Sequence, residues 1–343
     1  MSGGRFAFPP SQDAVFLTDG GLETTLVFLD GVDLPCFASF PLLQSEEGRM
    51  KLENYFRPYI RTAVERDVGF ILDTPTWRAN PDWGAKLDVS PEALSEVNQD
   101  AVRWAAGLRD RLSDDRERVL INGVVGPRGD GYRVDAQMSA DEAQAYHAPQ
   151  VEAFREAGAD MVSAVTMNYA EEAIGIARAA EALGLPAVIS FTVETDGRLA
   201  SGETLRSAIE RTDRETGHSP VYYMINCAHP THFAGILESG SPWIKRLRGV
   251  RANASRRSHA ELDNAPELDI GDPQELGEQY ADLLARFPHI NVLGGCCGTD
   301  HSISKPSAER AVLQIRKPPN YRSRFAKRLK ADMFANAFVV LLT

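Results

Sequence analysis

Cysteine is scarce in this chain: Cys36, Cys227, Cys296 and Cys297 are all that 343 residues contain. A secreted protein of this size stapled by disulfides would carry more. In a reducing compartment, so few thiols are better read as metal or catalytic groups. The start, MSGGRFAFPP, lacks the apolar stretch of a secretory signal. No run approaches the ~18 apolar residues of a membrane span, and the closing FANAFVVLLT is too short to be one. These absences give the expectation of a cytoplasmic protein. Neither G-x-G-x-x-G nor G-x-x-x-x-G-K-[ST] occurs, which argues against dinucleotide and P-loop sites. H-E-x-x-H and the G-x-S-x-G elbow are missing as well. Excess positive charge is also absent. The net charge is −11, a poor match for nucleic acid, so no nucleic-acid or membrane partner is expected. One stretch departs from this balance: from Arg316 to Thr343 there are seven Lys/Arg against one Asp, a net of +6.

What is present is a repeated alternation. Short runs rich in β-branched and apolar residues fall at 14–18, 68–74, 119–126, 159–166, 186–193, 221–226, 248–254 and 290–295. Amphipathic helical patterns lie between them at 47–67, 90–112, 139–158, 169–184 and 271–288. Their ends carry start and stop signals: Ser90 before Pro91, a Ser139 cap, Gly158 as a stop, and Asp272 before Pro273. Eight strand signals, most followed by a helix, predict parallel βαβ units whose strands are buried on both faces. That number favours closure, and the expected fold class is α/β, a (β/α)8 TIM barrel over residues 1–315. Residues 316–343 form a separate basic tail. Three readings stay open for it: a disordered segment, a helix for a partner or membrane surface, or an end that is not the natural one.

In such barrels the chemistry sits just after the C-terminal ends of the strands, and three of the four cysteines fall there. Cys227 follows 221–226, and Cys296 and Cys297 follow 290–295. Three thiolates can occupy three corners of a tetrahedron around Zn²⁺, leaving the fourth open, as in a catalytic rather than a structural zinc site. The plainer readings remain beside it. Cys227 would be a small apolar residue after a buried strand, the adjacent cysteines would be a redox pair, and Cys36 would be filler. Gly294, Gly295 and Gly298 would let two adjacent residues face one ion, or simply make a tight turn. After the first strand, Asp19 could hold a substrate ammonium, and Gly20 and Gly21 could offer N–H groups to a carboxylate; Asp-Gly is equally a common turn. Asn226 and Asn253 end the sixth and seventh strands and could orient substrate or ligands. Cys227 and His229 could share a metal with His232, although His229, His232 and His259 read better as polar loop residues; Glu194 and Asp196 could be pocket acids or a solvated turn.

The segments TDGGLETTL (18–26), INCAHPTHF (225–233) and GGCCGTDH (294–301) resemble the homocysteine S-methyltransferase family, with a match over about residues 12 to 302. The resemblance implies a (β/α)8 barrel, with Cys227, Cys296 and Cys297 as zinc ligands and Asp19 at the amino group of a homocysteine-like substrate. It further implies methyl transfer from a small activated donor to a thiol, homocysteine giving methionine. Binding to Zn²⁺ would deprotonate a thiol whose ordinary pKa is ~8.5 and leave its sulfur reactive. Familiar members carry a glutamate at the end of the fourth strand. Here Val165 stands in that place, and Glu171 and Glu172 come several residues later. The alternatives are a thiol- and zinc-binding barrel without turnover, and a cysteine-based redox or hydrolytic enzyme.

Overall fold

The computed structural model describes residues 14–134 and 137–301. Eight parallel strands close in sequence order into a barrel: β1 (Phe16–Leu17), β2 (Gly69–Asp73), β3 (Val119–Val125), β4 (Met161–Met167), β5 (Ala187–Phe191), β6 (Tyr222–Asn226), β7 (Leu247–Ala252) and β8 (Val292–Gly295). Closure is made by β1 against β8, with Phe16 beside Val292 and Leu17 beside Leu293. All eight predicted strands are present within a few residues of their expected bounds. The predicted boundary at 315 and the basic tail lie outside the described residues.

The main helices are α1 (Glu46–Glu65), α2 (Pro91–Leu112), α3 (Ala140–Ala157), α4 (Ala170–Ala182), α5 (Leu205–Glu215) and α6 (Pro273–Arg286). Their ends follow the sequence signals. Ser90 Oγ accepts from the Ala93 N–H with Pro91 in the first turn. Ser139 and Glu142 form a capping box, and Gly158 closes α3 in the left-handed region at φ 85°. Asp272 accepts from the N–H groups of Gln274 and Glu275. Helix α5 was not anticipated. Its apolar stripe holds only two large residues, Leu205 and Ile209, in an otherwise polar segment.

Period-two alternation along each strand sorts the barrel into layers. Outward residues such as Phe70, Leu72, Ile121, Val162, Ile189 and Ile225 pack under the helices. Inward residues at the N-terminal end, including Phe16, Ile71, Leu120, Met161, Val188, Tyr222 and Met224, form an apolar plug. Two residues further along the same strands the interior turns polar: Asp73, Asn122, Ser163, Ser190 and Asn226, all buried. The barrel is therefore sealed with hydrocarbon below and lined with hydrogen-bonding groups at its C-terminal mouth.

Phe154 of α3 is fully buried, and its ring lies so close over Gly123 that a Cβ there would sit 2.4 Å from it. Phe154→Ala should therefore cost ~3–5 kcal/mol in a urea titration. Met50→Ala, at an exposed position, should stay within ~0.5 kcal/mol. Equal midpoints for the two would contradict this helix–strand packing.

Candidate metal centre and its pocket

Cys227 and Cys296 follow strands that are separated by β7, so neighbouring-strand spacing alone would leave them ~9.6 Å apart. Their Cα atoms are 5.2 Å apart, because both chains bend inward over the end of β7. The Cys227 N–H donates to Arg251 O at 3.0 Å and the Cys296 N–H to Ala252 O at 2.9 Å. The bend at Cys227 puts a non-glycine residue at φ 52°, a conformation that needs support from its surroundings. The support falls on its carbonyl, which accepts from Asn253 Nδ2 at 3.0 Å and from His259 Nε2 at 2.6 Å. On the other side, the Cys296 carbonyl accepts from the N–H and hydroxyl of Thr299 at 3.0 and 2.7 Å. Gly298, at φ 76°, turns the chain where a Cβ would meet Asp269 O at 2.6 Å.

The sulfurs of Cys227, Cys296 and Cys297 all lie within 4.8 Å of one another. A tetrahedral ion with metal–sulfur distances of ~2.3 Å holds its sulfurs ~3.8 Å apart, so the donor set fits a soft metal with one position left over. The expected zinc site needs all three as thiolates. Cys227 and Cys296 are joined as a disulfide and Cys297 is free. Sulfurs brought into one gap from Cα atoms 5.2 Å apart are within bonding reach, so metal binding requires the reduced pair. Burial pushes the Cys297 thiol up to about 11, against the hydrogen bond from Tyr132 and with Glu23 adding to the shift. Cys36 takes no part; its carbonyl accepts from Arg78.

Beneath the sulfurs lies a buried ion network. Arg251 on β7 donates to Asp19 Oδ1 and to Asp73 Oδ2, and its Nε donates to Gly295 O at 3.3 Å. The remaining carboxylate oxygens are also engaged. Tyr55 donates to Asp19 Oδ2 at 3.1 Å, and Asn122 Nδ2 donates to Asp73 Oδ1 at 2.6 Å. Burial alone would lower the Arg251 pKa, but the two carboxylates outweigh it and hold the guanidinium above its usual range. Burial pushes Asp19 up to about 7, against the pull of Arg251 and Tyr55. Asp19 thus lines the pocket with both oxygens already bonded inside the protein.

Other expected site residues take more specific places. The Gly21 N–H donates to Thr299 O at 3.0 Å, which corrects its reading as a free carboxylate donor. The two glycines are required for close approach: a Cβ at Gly20 would sit 2.5 Å from Thr299 O, and one at Gly21 2.7 Å from Cys296 O. Asn226 lines the pocket but spends its amide internally. It accepts from the Thr166 N–H at 2.9 Å and from Ser190 Oγ at 2.7 Å, and donates to Thr166 Oγ1 at 2.9 Å. It thereby holds Thr166, a β-branched residue at φ 64°. Asn253 props Cys227 and lines an outer chamber, its Oδ1 without a partner among the described residues. His229 and His232 bond Thr231 and the Arg256 carbonyl and stay outside the sulfur cluster. Glu194 bonds His259 Nδ1 at 2.8 Å while Asp196 accepts from the Arg198 N–H in the turn.

The inner pocket runs from the sulfurs past Asp19, Glu23, Trp77, Tyr132 and Val165. It opens into the outer chamber, which shares Trp77, Tyr132 and Cys297 and adds Asp130, Asp263 and Asp269. Tyr132 stacks on His259 with ring centroids 4.1 Å apart, and its hydroxyl is 4.0 Å from Cys297 Sγ. Arg251, Asp73, Glu23, Trp77 and Tyr132 were not singled out from the sequence. The signal for the first was an arginine inside an apolar strand, two residues from the inward-facing Gly249.

The sequence profile of the homocysteine S-methyltransferase family matches residues 16–304. The homocysteine S-methyltransferase of Escherichia coli (strain K12) is 36% identical over 193 residues, 53% of this chain. The aligned stretch spans 59% of that relative's length. Among solved structures, the oxidized form of the homocysteine methyltransferase MmuM from Escherichia coli superposes with a TM-score of 0.67 at 21% identity, covering 90% of this chain and 97% of that one. The metallated form gives 0.65 at 22% identity, covering 87% and 97%. At these identities the superpositions establish the barrel fold.

Arg251→Leu leaves two buried carboxylates without their cation and should lower the unfolding free energy by ~3–5 kcal/mol in urea. Arg251→Lys should recover only part of that, because one ammonium cannot reach both acids as a guanidinium fork does. Full stability in the leucine variant would contradict the network.

Proposed function

From the premise that this chain belongs to the homocysteine S-methyltransferase family, we propose that it transfers a methyl group from a small activated donor to the sulfur of homocysteine, giving methionine. The observation that carries this reading is the convergence of Cys227, Cys296 and Cys297 within 4.8 Å at the inner end of a pocket. The Escherichia coli relative bears the same activity in its name, and one structural neighbour is a metallated form of such an enzyme. In this reading the three reduced cysteines hold Zn²⁺. Held there, the ion would supply Lewis acidity that favours the thiolate form of the acceptor near neutral pH.

The rest of the work falls to the chain. Asn253 and His259 fix the Cys227 carbonyl and Thr299 fixes that of Cys296, so the sulfurs are positioned before any ligand arrives. Gly20 and Gly21 let the loop after β1 close against the loop after β8. Leu22, Val124 and Val165 exclude water around the acceptor sulfur. The outer chamber receives the donor, aligned for in-line displacement at its methyl carbon. Its aromatic faces, Phe28, Trp77 and Tyr132, together with Asp130, Asp263 and Asp269, suit a compact cationic donor. Among the described residues, no helix is long and apolar enough to cross a membrane. A site that needs reduced thiols belongs in a reducing compartment, and we assign the protein to the cytoplasm. Residues 1–315 would form this catalytic unit and 316–343 an appendage to it.

Protein purified anaerobically and reduced should carry about one zinc per chain. Cys227→Ala, Cys296→Ala and Cys297→Ala should each lose the metal and the formation of methionine from homocysteine and a small sulfonium or betaine donor. Zinc retained by all three variants, or methyl transfer by metal-free protein, would overturn the reading.

A further inference from the structure

Three acids line the inner pocket: Asp19, Asp73 and Glu23. The first two are spent. Asp19 is bonded by Arg251 and Tyr55, one to each oxygen, and Asp73 likewise by Arg251 and Asn122. Glu23 is different. Its Oε1 accepts from Ser39 Oγ at 2.7 Å, and the only other donor at the carboxyl among the described residues is Glu23's own backbone N–H. It forms no ion pair with any described cation; two guanidinium groups act on it from further off, Arg251 and Arg78, the latter lying over the Trp83 ring 3.9 Å from its centroid and donating to the Cys36 carbonyl. Burial raises the Glu23 carboxyl above its usual range, and its charge is felt at the Cys297 thiol. A half-buried carboxylate in no ion pair among the described residues, on the wall of the cavity that holds the sulfurs, lacks a cation that a ligand could bring. Val165, also on the lining, brings no charge.

We propose that Glu23, rather than Asp19, receives the ammonium group of the thiol acceptor and so selects aminothiols over thiols without an amine. The assignment rests on the methyl-transfer reading of this pocket. Under it, the acceptor spans the pocket with its sulfur at the cysteines and its ammonium at the Glu23 carboxylate. Ser39 holds the carboxylate in place through Oε1, and Asp19 serves with Arg251 and Asp73 as a fixed floor.

The test is calorimetric binding of homocysteine and of 4-mercaptobutanoate, its analogue without the amine, to the full-length, zinc-loaded, reduced protein. Glu23→Gln keeps the shape and the Ser39 contact while removing the charge. It should weaken homocysteine by roughly 30-fold or more and leave 4-mercaptobutanoate within about twofold. Asp19→Asn is the comparison and should not show this selective loss. Equal weakening of both thiols by Glu23→Gln, no weakening of either, selective loss in Asp19→Asn instead, or no homocysteine binding by the parent would each overturn the assignment. Methyl transfer is scored separately. A parent that prefers homocysteine through Glu23 but forms no methionine would sink the functional reading and leave this one standing.

Discussion

One guanidinium organises the mouth of the barrel. Arg251 sits on β7 between Asp19 at the end of β1 and Asp73 at the end of β2, and its Nε reaches Gly295 at the end of β8. A buried cation must be paired to be tolerated at all, so the position of this side chain dictates which neighbouring groups are free. The arrangement draws the loops after β1 and β8 together, and the same closeness requires Gly20 and Gly21 where a Cβ would strike Thr299 and Cys296. It also consumes the carboxylate that would otherwise face an incoming ammonium. Arg251, bonded to the carbonyl of Gly295 next to Cys296 but not legible as such in the sequence, is thus both the structural tie and the reason the pocket's available negative charge lies at Glu23.

The sulfur cluster depends on a second constraint, the inward bend of two chains over the end of β7. Residues two strands apart do not meet in a flat ladder. Here the left-handed backbone at Cys227 and the turn at Gly298 bring them together, and the carbonyl contacts from Asn253, His259 and Thr299 hold the result. The polar layer above the apolar plug continues this logic. Asn226 saturates its amide on Thr166 and Ser190, so the strained end of β4 is fixed next to the strained start of the loop after β6. The site's rigidity resides in hydrogen bonds to backbone carbonyls, which leaves the cysteine side chains for metal chemistry.

Much of this was legible in the residues, for identifiable reasons. The strands read correctly because both of their faces are buried and their apolar runs are continuous, and the helix ends because Ser90, Ser139 and Asp272 cap as their chemistry requires. The cysteines were legible because each directly follows a strand. Helix α5 was missed because Leu205 and Ile209 are too few to mark an apolar stripe. The Arg251 network was missed for a different reason. Its partners are separated by 232 and 178 positions, and nothing local says that an arginine in one strand faces an aspartate in another. Asp19 was therefore expected to be free for substrate, and Glu23, four residues along the same segment, was passed over.

The account turns on three cysteine sulfurs sharing one ion with a single position left for the acceptor. X-ray absorption at the zinc edge, on reduced protein with and without homocysteine, addresses this directly. The predicted result is three sulfur neighbours and one lighter atom in the free protein, becoming four sulfurs when homocysteine is added. Four sulfurs without the thiol, or an unchanged shell on its addition, would contradict the account.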